Sequence, residues 1–108
     1  MEKVTLELEQ FVNGNIKVFS GREQGKQARK KLKIETLDKS QNISVEVKFP
    51  EDTMSLSPSF FLGLFGPSIR KLGETDFKQK YQFKCKEFIL ESIDSAITRA
   101  LKSSNPLE

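Results

Sequence analysis

The chain predicts an α/β fold with elements in the order β-β-α-β-α-β-α. Three observations carry that expectation. Separate segments alternate apolar and polar residues with the period of a half-buried strand. Segments between and after them repeat apolar residues at helical spacing. Gly and Pro punctuate the joins. With 108 residues the chain fits one domain, read as residues 1–106, and Leu107 and Glu108 read as an expression-tag remnant.

Val4, Leu6 and Leu8 alternate with Thr5, Glu7 and Glu9, giving the first strand. Asn13-Gly14 is a tight-turn signal, and Ile16 and Val18 resume the alternation. The expectation is a hairpin, with Phe11 and Val12 near the end of its first arm. Ser20 and Glu23 are spaced as a capping box, which starts a helix at Gly21 and carries it to about Asp38. Gly21, Gly25, Ala28 and Leu32 share one face, and three of the four are small, which allows close approach to the sheet. Arg22, Lys26, Arg29, Lys30 and Lys33 form an adjacent basic stripe.

Ile43, Val45, Val47 and Phe49 alternate with Ser44, Glu46 and Lys48 as a third strand, ended by Pro50. A loop comes next. Ser57-Pro58 reads as a helix cap followed by Pro in the first turn. The second helix carries Phe60, Phe61, Leu62, Leu64 and Phe65, kinks at Gly66-Pro67 and stops at Gly73. Tyr81, Phe83 and Cys85 alternate as a fourth strand. Ile89, Ile93, Ala96, Ile97, Ala100 and Leu101 give a third helix. Strands separated by helices predict a mixed sheet, largely parallel after the hairpin.

Composition narrows the function. The net charge is +3, with acids and bases interspersed. The chain has no histidine and one cysteine, Cys85, which removes the usual general base and the usual zinc ligand sets. One Ser-x-x-Lys spacing, Ser68 to Lys71, lacks its companion motifs and reads as chance on a helix surface. No phosphate-cradling glycine motif occurs. The expectation is a non-enzyme with no cofactor and no metal. The first ten residues lack a basic segment followed by an apolar run, and no apolar run is long enough for a membrane span, so the expected setting is cytoplasmic.

Two regions remain as candidate sites. The 54–59 loop sits between a strand end and a helix start, the edge where α/β folds bind ligands and partners. Met54, Ser55, Pro58, Phe60, Phe61 and Leu64 are the candidate partner-binding residues there. Ser57 and Ser59 are the candidate phosphorylation switch, because a helix N-terminus favours negative charge. Ser57 as a plain helix cap is the simpler reading of the same residue. The basic stripe of Arg22, Lys26, Arg29, Lys30 and Lys33 is the second region. It is either a solvated face or a contact for phosphate or an acidic partner. Three functions are open: a regulatory protein-interaction module, a nucleic-acid-associated protein, or a small-ligand sensor at the loop.

The segment from Ser20 through Gly-Arg-Glu-Gln-Gly-Lys-Gln-Ala-Arg29, the strand at 43–49, and Ser57-Pro-Ser-Phe-Phe-Leu-Gly-Leu-Phe-Gly66 followed by Lys71-Leu-Gly73 resemble the bacterial STAS-like domains of unknown function. These are relatives of the anti-sigma-factor antagonists. The resemblance runs from about residue 20 to 101. It implies a sheet with helices against mainly one face and a role in regulated protein contact. In the antagonists a Ser at the start of the second helix is phosphorylated by a partner kinase, which switches binding off. Ser57 stands nearest that position, with Ser59 beside it, so the resemblance implies an anti-sigma-type kinase as partner. Leu56 stands where the antagonists usually have Asp, and Phe60 stands in the region of their small Gly.

Overall fold

The computed structural model describes residues 2–12 and 18–102. It is an α/β structure. β1 (Glu2–Glu7), β3 (Ile43–Lys48) and β5 (Tyr81–Lys84) form one sheet in the order β1-β3-β5. β2 (Val18–Phe19) and β4 (Ser55–Leu56) form a second pair. The helices are α1 (Arg22–Lys31), α2 (Ile34–Lys39), α3 (Pro58–Lys80) and α4 (Glu87–Lys102).

All pairings among the described residues are parallel. Val4 stands beside Val45 and Leu6 beside Val47, so the alternation of β1 is satisfied by β3. The expected mixed sheet with a leading hairpin is therefore corrected. β2 pairs with β4 in a separate sheet, and Phe11 lies in a short 3-10 turn over Glu9–Phe11. Alternation fixes which face a strand buries but does not name its neighbour. Asn13, Gly14 and Ile16 lie outside the described residues, as do Leu107 and Glu108.

Val45, Val47 and Tyr81 point into the core, while Lys3, Thr5, Glu7, Lys48, Gln82 and Lys84 are exposed on the other face. Parallel sheets are usually covered on both faces. Here one face is left polar, which is why the strands alternate instead of reading as continuous apolar runs. α3 packs on β3 and β5, and α1 and α4 pack on α3.

The close approach expected of α1 is made to α3, not to the sheet. Gly25 lies against the backbone of Phe60, Gly63 and Leu64, and Gly63 lies against Arg22 and Lys26. Two residues without Cβ, facing each other, bring the helix axes together. α1 starts at Arg22 after Gly21 at φ 91°, and no side chain caps it, so the Ser20–Glu23 capping box is not formed. The helix also does not run through to Asp38. Lys33 adopts φ 56°, and the chain restarts as α2 with Ile34 and Asp38 turned inward.

α3 keeps helical backbone angles through the exposed Pro67. The break falls at Gly73 (φ 81°, ψ 166°), a region open essentially to Gly alone. A further helical stretch then reaches Lys80, beyond the stop expected at Gly73. Its signals are an exposed Glu74–Lys78 pair at 3.0 Å and the buried Phe77. In α4, Ile89, Ile93, Ala96, Ile97 and Ala100 are buried as expected, while Leu101 is exposed in the last turn. The Phe run of α3 is core. Phe65 meets Phe61, Phe77, Tyr81 and Phe83, with ring centroids 5.0–5.7 Å apart.

Candidate functional site

The loop into α3 is built from both sheets. Thr53 is buried, and its hydroxyl donates to the Pro50 carbonyl at 2.6 Å. Leu56 pairs with Phe19 across the small sheet, and the Ser57 amide donates to the Phe19 carbonyl at 2.8 Å. The Phe19 ring packs against Phe49 and Phe60, each with centroids 5.3 Å away. Ser57 is the helix cap, and its Oγ accepts the Phe60 amide at 3.1 Å. Pro58 takes the first helical position. The cap expected from Ser57-Pro58 is thus present.

The candidate partner-binding residues separate into two groups. Met54 is 66% exposed, and Ser55, Pro58 and Ser59 are also exposed. Phe60, Phe61 and Leu64 are at most 1% exposed and belong to the core, so a direct partner-contact role for them is corrected. A helix apolar on most of its circumference looks like surplus when packing is expected on one side only. α3 instead has the sheet, α1 and α4 around it. The two switch candidates also differ. Ser57 is half-buried with its oxygen engaged, whereas Ser59, in the first turn, is exposed.

The basic stripe is not uniform. Lys26, Lys30 and Lys33 are exposed, and Arg22 is half-buried. Lys26, Lys30 and Lys33 line an open groove of about 360 Å³ with Arg29, Glu35 and Thr36. Arg29, however, reaches inward. Its guanidinium donates to the Leu64 carbonyl at 3.0 Å, to Ser68 Oγ at 2.8 Å and to Asp38 Oδ2 at 3.1 Å.

That contact opens a buried polar network that no sequence motif announces. Ser68 donates to Asp38 Oδ2 at 2.6 Å, and the Tyr81 hydroxyl donates to Asp38 Oδ1 at 2.5 Å. Lys80 caps the end of α2, donating to the carbonyls of Asp38 and Ser40 at 3.2 and 2.7 Å. Ser68 is fully buried, which corrects its placement on a helix surface. Burial, and then the hydrogen bond to Asp38, hold the Tyr81 phenol well above its ordinary range. The network joins α1, α2, α3 and β5. Its one sequence signal is that Ser68 and Tyr81 occupy inward positions of their elements, where a polar group needs a partner.

Burial also pushes the Cys85 thiol up to about 11, which keeps it protonated near neutral pH. Among the described residues no group of three or more Cys, Asp or Glu side chains gathers as a metal site. No helix of the described residues is long and apolar enough to cross a membrane. Comparison with family models, with curated proteins and with solved structures found no match to this chain.

Proposed function

We propose that the chain is a regulatory protein-interaction module of STAS-like type, with Met54, Ser55, Pro58 and Ser59 as its contact surface. The observation that carries the reading is the exposure of Met54 at 66%. This large apolar side chain stands in a loop pinned at both ends, beside a helix start whose following residues are buried. An exposed apolar group on a rigid base loses little order on binding, which favours a contact role. Among the described residues the helices pack on one face of the larger sheet, the arrangement the resemblance implies.

Ser59 is the residue through which a kinase acts in this reading. It is exposed in the first turn of α3, so a phosphate there meets the helix N-terminus without disturbing a cap. Phosphate on Ser57 would displace the bond to the Phe60 amide. The test is capture of partners from nuclease-treated lysate of the source organism. Wild type, Met54→Asp and Ser59→Glu are compared, with circular dichroism as the folding control. A defined protein retained by wild type and lost by both folded variants is expected. The same proteins retained by all three would refute the proposal.

Nucleic-acid binding through α1 is the second reading, and the groove beside Lys26, Lys30 and Lys33 favours it. Arg29 lines that groove, but its guanidinium is engaged by Asp38, Ser68 and the Leu64 carbonyl, which weakens it as a phosphate ligand. Retention on DNA resin that falls steeply with salt would support this reading over the first.

A further inference from the structure

A groove of about 830 Å³ lies at the carboxyl ends of β3 and β5, within the size range of small-molecule sites. Phe49 and the half-buried Cys85 give it an apolar part. Lys48, Lys84 and Lys86 give it three exposed ammonium groups. Glu51 and Asp52, in the turn after β3, complete the lining. None of the three lysines forms an ion pair among the described residues.

The placement of these lysines breaks three local rules at once. Lys48 and Lys84 are direct neighbours on adjacent strands, where like charges repel. Lys86 precedes the first turn of α4 and its carbonyl accepts the amides of Ile89 and Leu90, so it fills the position that favours Ser, Thr, Asp or Asn. It also sets a cation at a helix N-terminus, where the dipole favours anions. Glu87 in the first turn of α4 answers part of the helix dipole, but no ion pair among the described residues neutralises any of the three lysines. Local rules broken together at one place mark functional positions.

We propose that this groove binds a small phosphomonoester, held by Lys48, Lys84 and Lys86. One dianionic phosphate relieves the strand-to-strand repulsion and joins Glu87, the acid in the first turn of α4, in answering the helix dipole beside Lys86. Ammonium groups bind phosphate as point charges, and three of them line the groove. Glu51 and Asp52 disfavour a polyanionic strand, whose next phosphate would meet a carboxylate. They favour a ligand whose other end carries an amine or hydroxyl. The site is separate from the 54–59 surface and stands whether or not that surface binds protein.

The experiment is a proton–nitrogen correlation NMR titration of the full chain. The probes are phosphoethanolamine, inorganic phosphate, and sodium chloride at matched ionic strength. Saturable shifts confined to amides of residues 48–52 and 84–88 are expected with both phosphates and not with chloride. Lys84→Gln with Lys86→Gln should weaken binding about tenfold or more, a loss of roughly 1.4 kcal/mol. Lys86→Ser should raise the melting temperature without phosphate while losing affinity for it, which separates a lost site from a lost fold. Shifts equal in chloride, shifts confined to Lys26, Lys30 and Lys33, or no saturable shift would each overturn the proposal.

Discussion

Gly25→Ala and Gly63→Ala probe the seam on which the position of α3 depends. A Cβ at Gly25 would stand 2.2 Å from the Phe60 carbonyl oxygen and 3.0 Å from the Leu64 nitrogen. At Gly63 it would stand 2.3 Å from the Arg22 carbonyl oxygen and 3.1 Å from the Lys26 nitrogen. The opposing atoms are backbone, so no rotamer change relieves the overlap. The helices must part by about 1 Å, a gap that forfeits a quarter to a half of the dispersion well for atoms along the seam. Overpacking of this kind costs about 1–3 kcal/mol. Against it stands the usual gain of roughly 0.8–1 kcal/mol when Ala replaces Gly in a helix.

Unyielding backbone on the opposing side places both variants in the upper half of that cost range, so the expected net effect is a loss of about 1–2 kcal/mol for each, or roughly 4–10 °C in melting temperature. Gly66→Ala is the internal control. Its Cβ would meet only the end of the Arg70 side chain, at 3.3 Å, and a flexible side chain can yield. That variant should match wild type within about 0.5 kcal/mol or exceed it. Urea unfolding followed by circular dichroism measures all three. The double variant should cost less than the two singles together, because the first Ala already parts the helices for the second. If Gly25→Ala and Gly63→Ala prove as stable as Gly66→Ala, the close α1–α3 approach is wrong.

Ser57→Ala should lose about 1 kcal/mol through its cap, whereas Ser59→Ala should stay within about 0.5 kcal/mol of wild type in the same urea assay. Asp38→Ala should cost about 3–5 kcal/mol, because it takes the carboxylate from the largely buried Arg29 guanidinium and the acceptor from the buried Ser68 and Tyr81 hydroxyls. Adding Arg29→Met should recover part of that loss, and no recovery would mean the ion pair is not what the aspartate holds. Tyr81 is the only tyrosine, and the chain has no tryptophan, so phenolate absorbance reports this residue alone. Its folded pKa is raised, so its contribution to stability is complete below about pH 10 and is lost as pH rises beyond it. Phenolate should therefore appear only together with loss of the circular dichroism signal. Titration near pH 10 in a chain that keeps its fold would refute the burial and the bond to Asp38.

The parts of the fold legible in the sequence were those governed by period. Val45 and Val47, Ile89 to Ala100, and the Ser57-Pro58 helix start all lie where local pattern places them. Choices that depend on a distant partner were not legible. The pairing of β1 with β3 instead of β2 is one. The packing of Gly25 on Gly63 instead of on the sheet is another. The break at Lys33 is a third, since a lysine in left-handed conformation has no sequence signal and is held by the burial of α2 behind it. Ile34 and Asp38 turn inward, and Asp38 meets Arg29, Ser68 and Tyr81. The same long-range contact took Arg29 out of the basic stripe. At the candidate site Met54 and Ser59 lie on the surface, while the Phe run beside them does not, because its extra faces are covered by helices far along the chain.

These long-range contacts bear on how a modification at the loop would act. The start of α3 is held by Gly63 against α1, by the ring of Phe60 against Phe19, and by the Ser57 amide on the Phe19 carbonyl. Farther along the same helix, Ser68 is locked to Asp38. A helix fixed at several points along its length has little freedom to shift when one charge is added at its tip. A phosphate on Ser59 would therefore change the potential and shape of the contact surface without repositioning α3. In the proposed reading, regulation at Ser59 is a matter of electrostatics and sterics at the interface, and Ser59→Glu should weaken a partner while raising stability by less than about 1 kcal/mol, the gain of an acid in a first helical turn. A shift of that midpoint by the equivalent of about 1 kcal/mol or more would instead mean that the charge reaches the core.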